Sequence, residues 1–270
     1  MQHVAVSNGM LNVYAQGKGS PLLFVHGFPL NNAMWHLQAE PFSKKYRVIV
    51  PDLRGFGESS VTPGTVTMEE MADDLHGVLH GVWVDQPVVF CGLSMGGYVA
   101  WQFFRKYRPQ LRALILCDTR ANADTPEGAA GRHKFAEDVL ANGSQAAADA
   151  MLPKLMSPKT MERWPDLVAN VQSMMLRNKP AGIAAAALGM AARPDCTDLL
   201  PQIDVPTLLI CGQDDQVTPP AEMQKMAEAI PQAQFVQIPN AGHLSPLENP
   251  DAVNGAINRF LISLDSHSAS

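Results

Sequence analysis

Short, continuously apolar runs recur along the chain, and they constrain its fold more than any other feature. Pro21-Leu-Leu-Phe-Val25, Arg47-Val-Ile-Val50, Pro87-Val-Val-Phe-Cys91, Leu111 to Cys117 and Thr207 to Cys211 are too short for buried helices. They are also too uniformly apolar for half-exposed strands. A weaker run covers Gln234 to Ile238. Helical patterns lie between them: Met68 to Trp83, opened by Thr67 with Glu70 as a capping box, and Tyr98 to Tyr107. Strands apolar on both faces, alternating with helices, predict a parallel sheet covered on both sides. The fold class is therefore α/β. Ahead of these runs, His3 to Ser7 and Met10 to Ala15 flank Asn8-Gly9, which predicts a hairpin with those two residues in the turn.

From about Arg120 to Leu199 the rhythm stops. This stretch has no strand pattern, is rich in Ala and Met, and carries proline at 126, 153, 158, 165, 180 and 194. Short helices separated by prolines fit it, and a strand-free insert between two sheet strands would lie over one end of the sheet as a lid. The predicted organisation is a core formed by 1–119 and 200–270, with a helical lid over 120–199. A length of 270 residues suits one domain plus such an insertion. Asp265 to Ser270 are small and polar and are expected to fray.

Charge and composition exclude several partners. Twenty Lys+Arg against 26 Asp+Glu leave a net charge of −6, with no footprint for nucleic acid or an anionic bilayer. No apolar run approaches the ~18 residues of a membrane span, and the first residues lack the basic-then-apolar pattern of a secretory signal. Cys91, Cys117, Cys196 and Cys211 lack C-x-x-C spacing, so neither a zinc site nor a redox pair is expected. A reduced, cytoplasmic protein is the expectation.

The chemistry concentrates at Gly92-Leu93-Ser94-Met95-Gly96, a G-x-S-x-G placed after a buried strand and before a helix. A serine on such a turn is held in a strained conformation that exposes its hydroxyl, and the residues two before and two after it must lack side chains. The competing reading is a glycine-rich tight turn. A serine hydroxyl needs a base, itself oriented by a carboxylate. Among the eight histidines, His243 follows a strand in a Gly- and Pro-flanked loop. Asp214 and Asp215 stand just past the Thr207–Cys211 run. The order Ser, Asp, His is that of an α/β hydrolase.

Taken together, His26-Gly27-Phe28-Pro29, Asp52-Leu-Arg54-Gly55-Phe-Gly57-Glu-Ser59, the Ser94 turn, Gly212-Gln-Asp-Asp215 and Gly242-His243 resemble the α/β-hydrolase superfamily over nearly the whole chain. The resemblance implies a mostly parallel eight-stranded sheet with helices on both faces and an inserted lid. Its G-x-x-D spacing selects Asp215 as the acid, with Asp118 a weaker candidate because some relatives carry the acid there. It implies the backbone N–H groups of Phe28 and Met95 as the oxyanion hole; His26 reads as structural, because no second base is needed. Asp52 and Arg54 read as a loop-stabilising charge network. Gly55-x-Gly57 is not a phosphate loop, lacking a third glycine and an opening helix.

Residue identity then prunes the superfamily. Haloalkane dehalogenases and epoxide hydrolases carry an aspartate nucleophile where this chain has Ser94, and the lid holds none of the four tyrosines. What remains is acyl transfer to water from a small-molecule ester or lactone, with no metal or organic cofactor. The Ser94 turn and Cys117-Asp-Thr-Arg120 are similar to 3-oxoadipate enol-lactonases and small microbial carboxylesterases. Arg120 is a candidate for binding a substrate carboxylate, against the reading of a surface or ion-paired arginine. Met151, Met156, Met161, Met174, Met175 and Met190 either line an adaptable pocket or pack the lid onto the core. The alternatives are a C–C bond hydrolase of aromatic degradation, perhydrolase or hydroxynitrile-lyase chemistry, or a ligand receptor on the same scaffold. The sequence does not set the oligomeric state.

Overall fold

In the computed structural model, which describes residues 1–267, the apolar runs become the central strands of one sheet. In chain order the elements are β1 (Gln2–Val6), β2 (Gly9–Gln16), β3 (Pro21–Val25), α1 (His36–Phe42), β4 (Arg47–Pro51), α2 (Met68–Gly81), β5 (Val88–Leu93), α3 (Met95–Tyr107) and β6 (Leu111–Cys117). Then come α4 (Pro126–Asn142), α5 (Ser144–Leu155), α6 (Pro158–Arg163), α7 (Pro165–Leu176) and α8 (Pro180–Ala191). The chain closes with β7 (Thr207–Gly212), α9 (Pro220–Ala229), β8 (Ala233–Ile238), α10 (Ser245–Glu248) and α11 (Pro250–His267). The strands form an eight-stranded sheet ordered β1-β2-β4-β3-β5-β6-β7-β8. β1 and β2 pair antiparallel with each other, and β2 with β4, while the remaining neighbours are parallel.

Side chains alternate across this sheet into two cores. Leu23, Val25, Ile49, Val88, Phe90, Leu114, Leu116 and Leu209 join α2 and α3 on one face through Met71, Leu75, Val78, Val99 and Phe103. Leu22, Phe24, Val48, Val89, Cys91, Ile115, Leu208 and Ile210 meet Phe42 of α1 and Val253, Ile257 and Phe260 of α11 on the other. Period-2 alternation inside uniformly apolar strands is what a sheet buried on both faces requires.

Local signals set most boundaries. The Thr67 hydroxyl accepts from Glu70 N at 3.1 Å while the Glu70 carboxylate takes Thr67 N at 2.8 Å, closing the capping box of α2. Pro126, Pro158, Pro165 and Pro180 stand in the first turns of α4, α6, α7 and α8, where a missing N–H is harmless. Two expectations are corrected. Val6 pairs with Gly9, so the hairpin turn is Ser7-Asn8, and Gly9 (φ +144°) opens β2 where a Cβ would meet Ser60 Cβ at 2.7 Å. The carboxy-terminal segment does not fray at Asp265: α11 runs to His267, and Asp265 is held by Lys45, Arg112 and the Tyr46 hydroxyl. The rest of that predicted tail, 268–270, lies outside the described residues. Among the described residues, no helix is long and apolar enough to cross a membrane.

Candidate active site

The site lies where α/β sheets place their ligands, at the carboxyl ends of the parallel strands. β5 runs into α3 through Ser94, whose backbone stands at φ 51°, ψ −110°. A non-glycine residue there costs about 1–3 kcal/mol and needs its surroundings to enforce it. They do so by close approach. A Cβ on Gly92 would come within 2.5 Å of Gly96 O, and one on Gly96 within 2.4 Å of Val25 O. Ser94 N donates to Cys117 O at 2.9 Å, and the Thr119 hydroxyl donates to Ser94 O at 2.7 Å.

Three side chains from separate strand ends meet here. His243 Nε2 lies 2.8 Å from Ser94 Oγ, and His243 Nδ1 lies 2.8 Å from Asp215 Oδ2. Asp215, past β7, also accepts Val217 N at 2.8 Å, Thr218 N at 3.0 Å and the Thr218 hydroxyl at 2.6 Å. Burial works to raise its carboxyl, but the His243 charge and hydrogen bond together with Thr218 outweigh this and hold it below the ordinary carboxylate value. Thr218 was not foreseen from the sequence. An aspartate accepting the N–H groups two and three residues on is the signature of an Asx turn, so Asp215-Gln-Val-Thr218 carried that signal.

Asp118 is brought close but does not reach the histidine ring by any hydrogen bond. Its Oδ1 accepts Gly212 N at 2.7 Å and its Oδ2 the Ser245 hydroxyl at 2.5 Å. Complete burial, with Asp215 nearby, pushes its carboxyl well above the usual range. Asp118, Cys211 and Asp215 hold possible ligand atoms within 4.8 Å of one another. Each is engaged by protein groups, Cys211 Sγ with Gly212 O and Thr218 O, and burial pushes that thiol far up.

His26 is fully buried; its Nε2 accepts Leu53 N at 2.9 Å, which places the ring proton on Nδ1, 3.0 Å from Gly27 O. Burial lowers its basicity, so the ring stays neutral and ties the β3 loop to the β4 loop. Asp52 and Arg54 serve different partners. Asp52 accepts Asn12 Nδ2, Asn32 N and Glu58 N, while Arg54 pairs with Asp74 in a buried bridge. Among the described residues, the Phe28 N–H in the loop after β3 and the Met95 N–H, first in α3, find no protein acceptor.

Arg120 stands apart from this cluster. Its guanidinium bonds Val217 O and pairs with Glu222 at 3.2 Å. It borders a surface cavity of about 300 Å³ lined by Thr197, Leu200, Glu222, Lys225 and Met226, not by Ser94 or His243. The methionines of the 120–199 segment pack into the two cores: Met156, Met174, Met175 and Met190 are buried, and Met151 and Met161 lie against them.

Residues 20–250 match the family model of the alpha/beta hydrolase fold. The chain belongs to that family. Among solved structures, the hydrolase is 48% identical to a thermophilic esterase from Thermogutta terrifontis, with a TM-score of 0.95 over 97% of this chain and 98% of that one. An enol-lactonase from Burkholderia xenovorans LB400 is 29% identical at a TM-score of 0.90, covering 97% of this chain and all (100%) of its own. A curated relative, 3-oxoadipate enol-lactonase 2 of Acinetobacter baylyi, is 27% identical over 92% of this chain and 91% of its own. Family and neighbours together support hydrolase activity on a small molecule.

Proposed function

We propose that the protein is a serine carboxylesterase that cleaves small to medium neutral esters through an acyl-serine intermediate. The observation that carries this reading is the unbroken chain from Ser94 Oγ through His243 to Asp215, with both links at 2.8 Å. His243 Nε2 takes the Ser94 proton as Oγ attacks the ester carbonyl, and Asp215 holds the proton on Nδ1. The Phe28 and Met95 N–H groups face the developing oxyanion; such donors are typically worth about 3 kcal/mol each. His243 returns its proton to the leaving alkoxide, then draws one from water, which releases the acid and regenerates Ser94.

Segment 120–199 acts as the lid and shapes the acyl pocket. Phe135 of α4 packs edge-on against Phe28, and Asn178 bonds Pro29 O and Leu30 O, so these helices border the oxyanion loop. The resemblance to enol-lactonases keeps lactones as a second substrate class. Ester is favoured over a carboxylated lactone because Arg120, the sequence's candidate for such a carboxylate, stands apart from Ser94 and is committed to Glu222 and Val217 O. The test is hydrolysis of p-nitrophenyl esters of increasing acyl length by wild type and Ser94→Ala. Turnover abolished by the substitution is expected, with the length optimum sizing the pocket. Equal turnover in both would overturn the reading.

A further inference from the structure

Glu248 closes α10 downstream of His243, and its two carboxylate oxygens serve two different parts of the chain. Oε1 accepts the backbone N–H groups on either side of His243: Gly242 N at 2.9 Å and Leu244 N at 3.2 Å. Oε2 accepts Ser157 N at 2.8 Å and the Thr160 hydroxyl at 2.7 Å, both at the start of α6. Leu244 N also reaches Leu155 O at 3.2 Å. The two segments touch so closely that a Cβ on Gly242 would lie 2.6 Å from Ser157 N, which is why that position carries glycine.

Four donors from two segments thus converge on one half-buried carboxylate. The bonds it makes to Gly242 and Leu244 fix the backbone on both sides of the imidazole. Resting on the reading of His243 as the base, we infer that Glu248 is a positioning residue for His243, and that through it the start of α6 supports the reacting ring. A base displaced by about 1 Å loses on the order of 10²-fold in rate without any change in how substrate is held. The loss should therefore fall on kcat and spare KM.

Glu248→Gln keeps the size of the side chain but sets an amide NH₂ against N–H donors. On p-nitrophenyl acetate its kcat should fall by about 10- to 100-fold, with KM within about twofold of wild type. Thr160→Val, which leaves the His243 loop bonds intact, should lower kcat by about threefold in the same manner. A second readout needs no turnover: the far-downfield proton resonance of the His243 Nδ1–H···Asp215 bond, expected in wild type and broadened by exchange in folded Glu248→Gln. An unchanged kcat, or a resonance as sharp as wild type, would overturn the proposal. If wild type hydrolyses no ester, the resonance alone decides, and the esterase reading fails separately. If Glu248→Gln does not fold, Thr160→Val decides: a fall in kcat with KM unmoved supports positioning, and an unmoved kcat refutes it.

Discussion

The turn bearing Ser94 and the helices between β6 and β7 are held in place by different mixtures of contacts. At the turn, backbone meets backbone: Gly92 and Gly96 approach Gly96 O and Val25 O so closely that neither position admits a Cβ. The α4–α8 segment mixes three kinds of contact: close backbone approach of Gly182 to Gly55 O and of Gly189 to Val66 O, apolar packing into both cores, and a few polar anchors. Asn178 gives Nδ2 to Pro29 O at 2.8 Å and takes Gly57 N at 2.7 Å on Oδ1. Asp124 ties Arg132 of α4 to Arg193 beyond α8, and although burial opposes it, those arginines hold its carboxyl below the ordinary value.

The sharpest way to break this comparison is at the acid, where the sheet end offers a second carboxyl. Asp215→Asn should lower kcat by about 10⁴-fold, because the amide cannot hold the Nδ1 proton of the reacting tautomer. Were Asp118 able to substitute, ester assays would register a far smaller loss. On the insertion side, Asn178→Ala should cost about 2–3 kcal/mol, since it orphans the part-buried Gly57 N and the buried Pro29 O together. Urea unfolding measures this, and a change under about 0.5 kcal/mol would mean that the helices do not depend on their anchors.

The same division explains what could be read beforehand. Every central strand and the Ser94 turn follow from local pattern, because a doubly buried strand and a strand-to-helix turn each restrict residue type at fixed spacing, whereas the choice of Asp215 over Asp214 comes from the resemblance to the family's G-x-x-D spacing. The prolines likewise announced where α4, α6, α7 and α8 begin. Asn178 and Glu248 escaped notice because the partners that give each its role as a link lie far along the chain: Asn178 and Pro29 are 149 positions apart, and Glu248 and Ser157 are 91. Nothing in the neighbourhood of such a residue distinguishes it from a surface polar group. The hairpin was misplaced by one residue for a related reason. Gly9 is needed for contact with Ser60, a long-range demand that mimics a turn signal.

Asp118 gives a subtler test at the sheet end. Its folded value lies well above the 3.8 of an ordinary aspartate, so its contribution to stability is complete below that value and is lost as pH rises through the folded one. Asp118→Asn is the neutral isostere of the acid, with the amide oxygen kept for Gly212 N. Thermal melts from about pH 4 to about pH 8 should show wild type losing stability with pH more steeply than the variant. Parallel curves would mean that Asp118 keeps one charge state throughout.

The smallest effect is expected at Arg120, where the two regions meet. Its guanidinium joins Val217 O, in the Asp215 loop, to Glu222 of α9. Both side chains are partly exposed, about a quarter for Arg120 and a third for Glu222, so the pair is screened and contributes under about 1 kcal/mol. Arg120→Ala should leave the ratio of kcat/KM for a carboxylated lactone over a neutral ester within about twofold of wild type. A selective loss of about tenfold or more on the carboxylated substrate, equivalent to about 1.4 kcal/mol, would mean that substrate pulls Arg120 away from Glu222. The specificity of the site would then draw on the loop after β6 as well as on the helices that follow it.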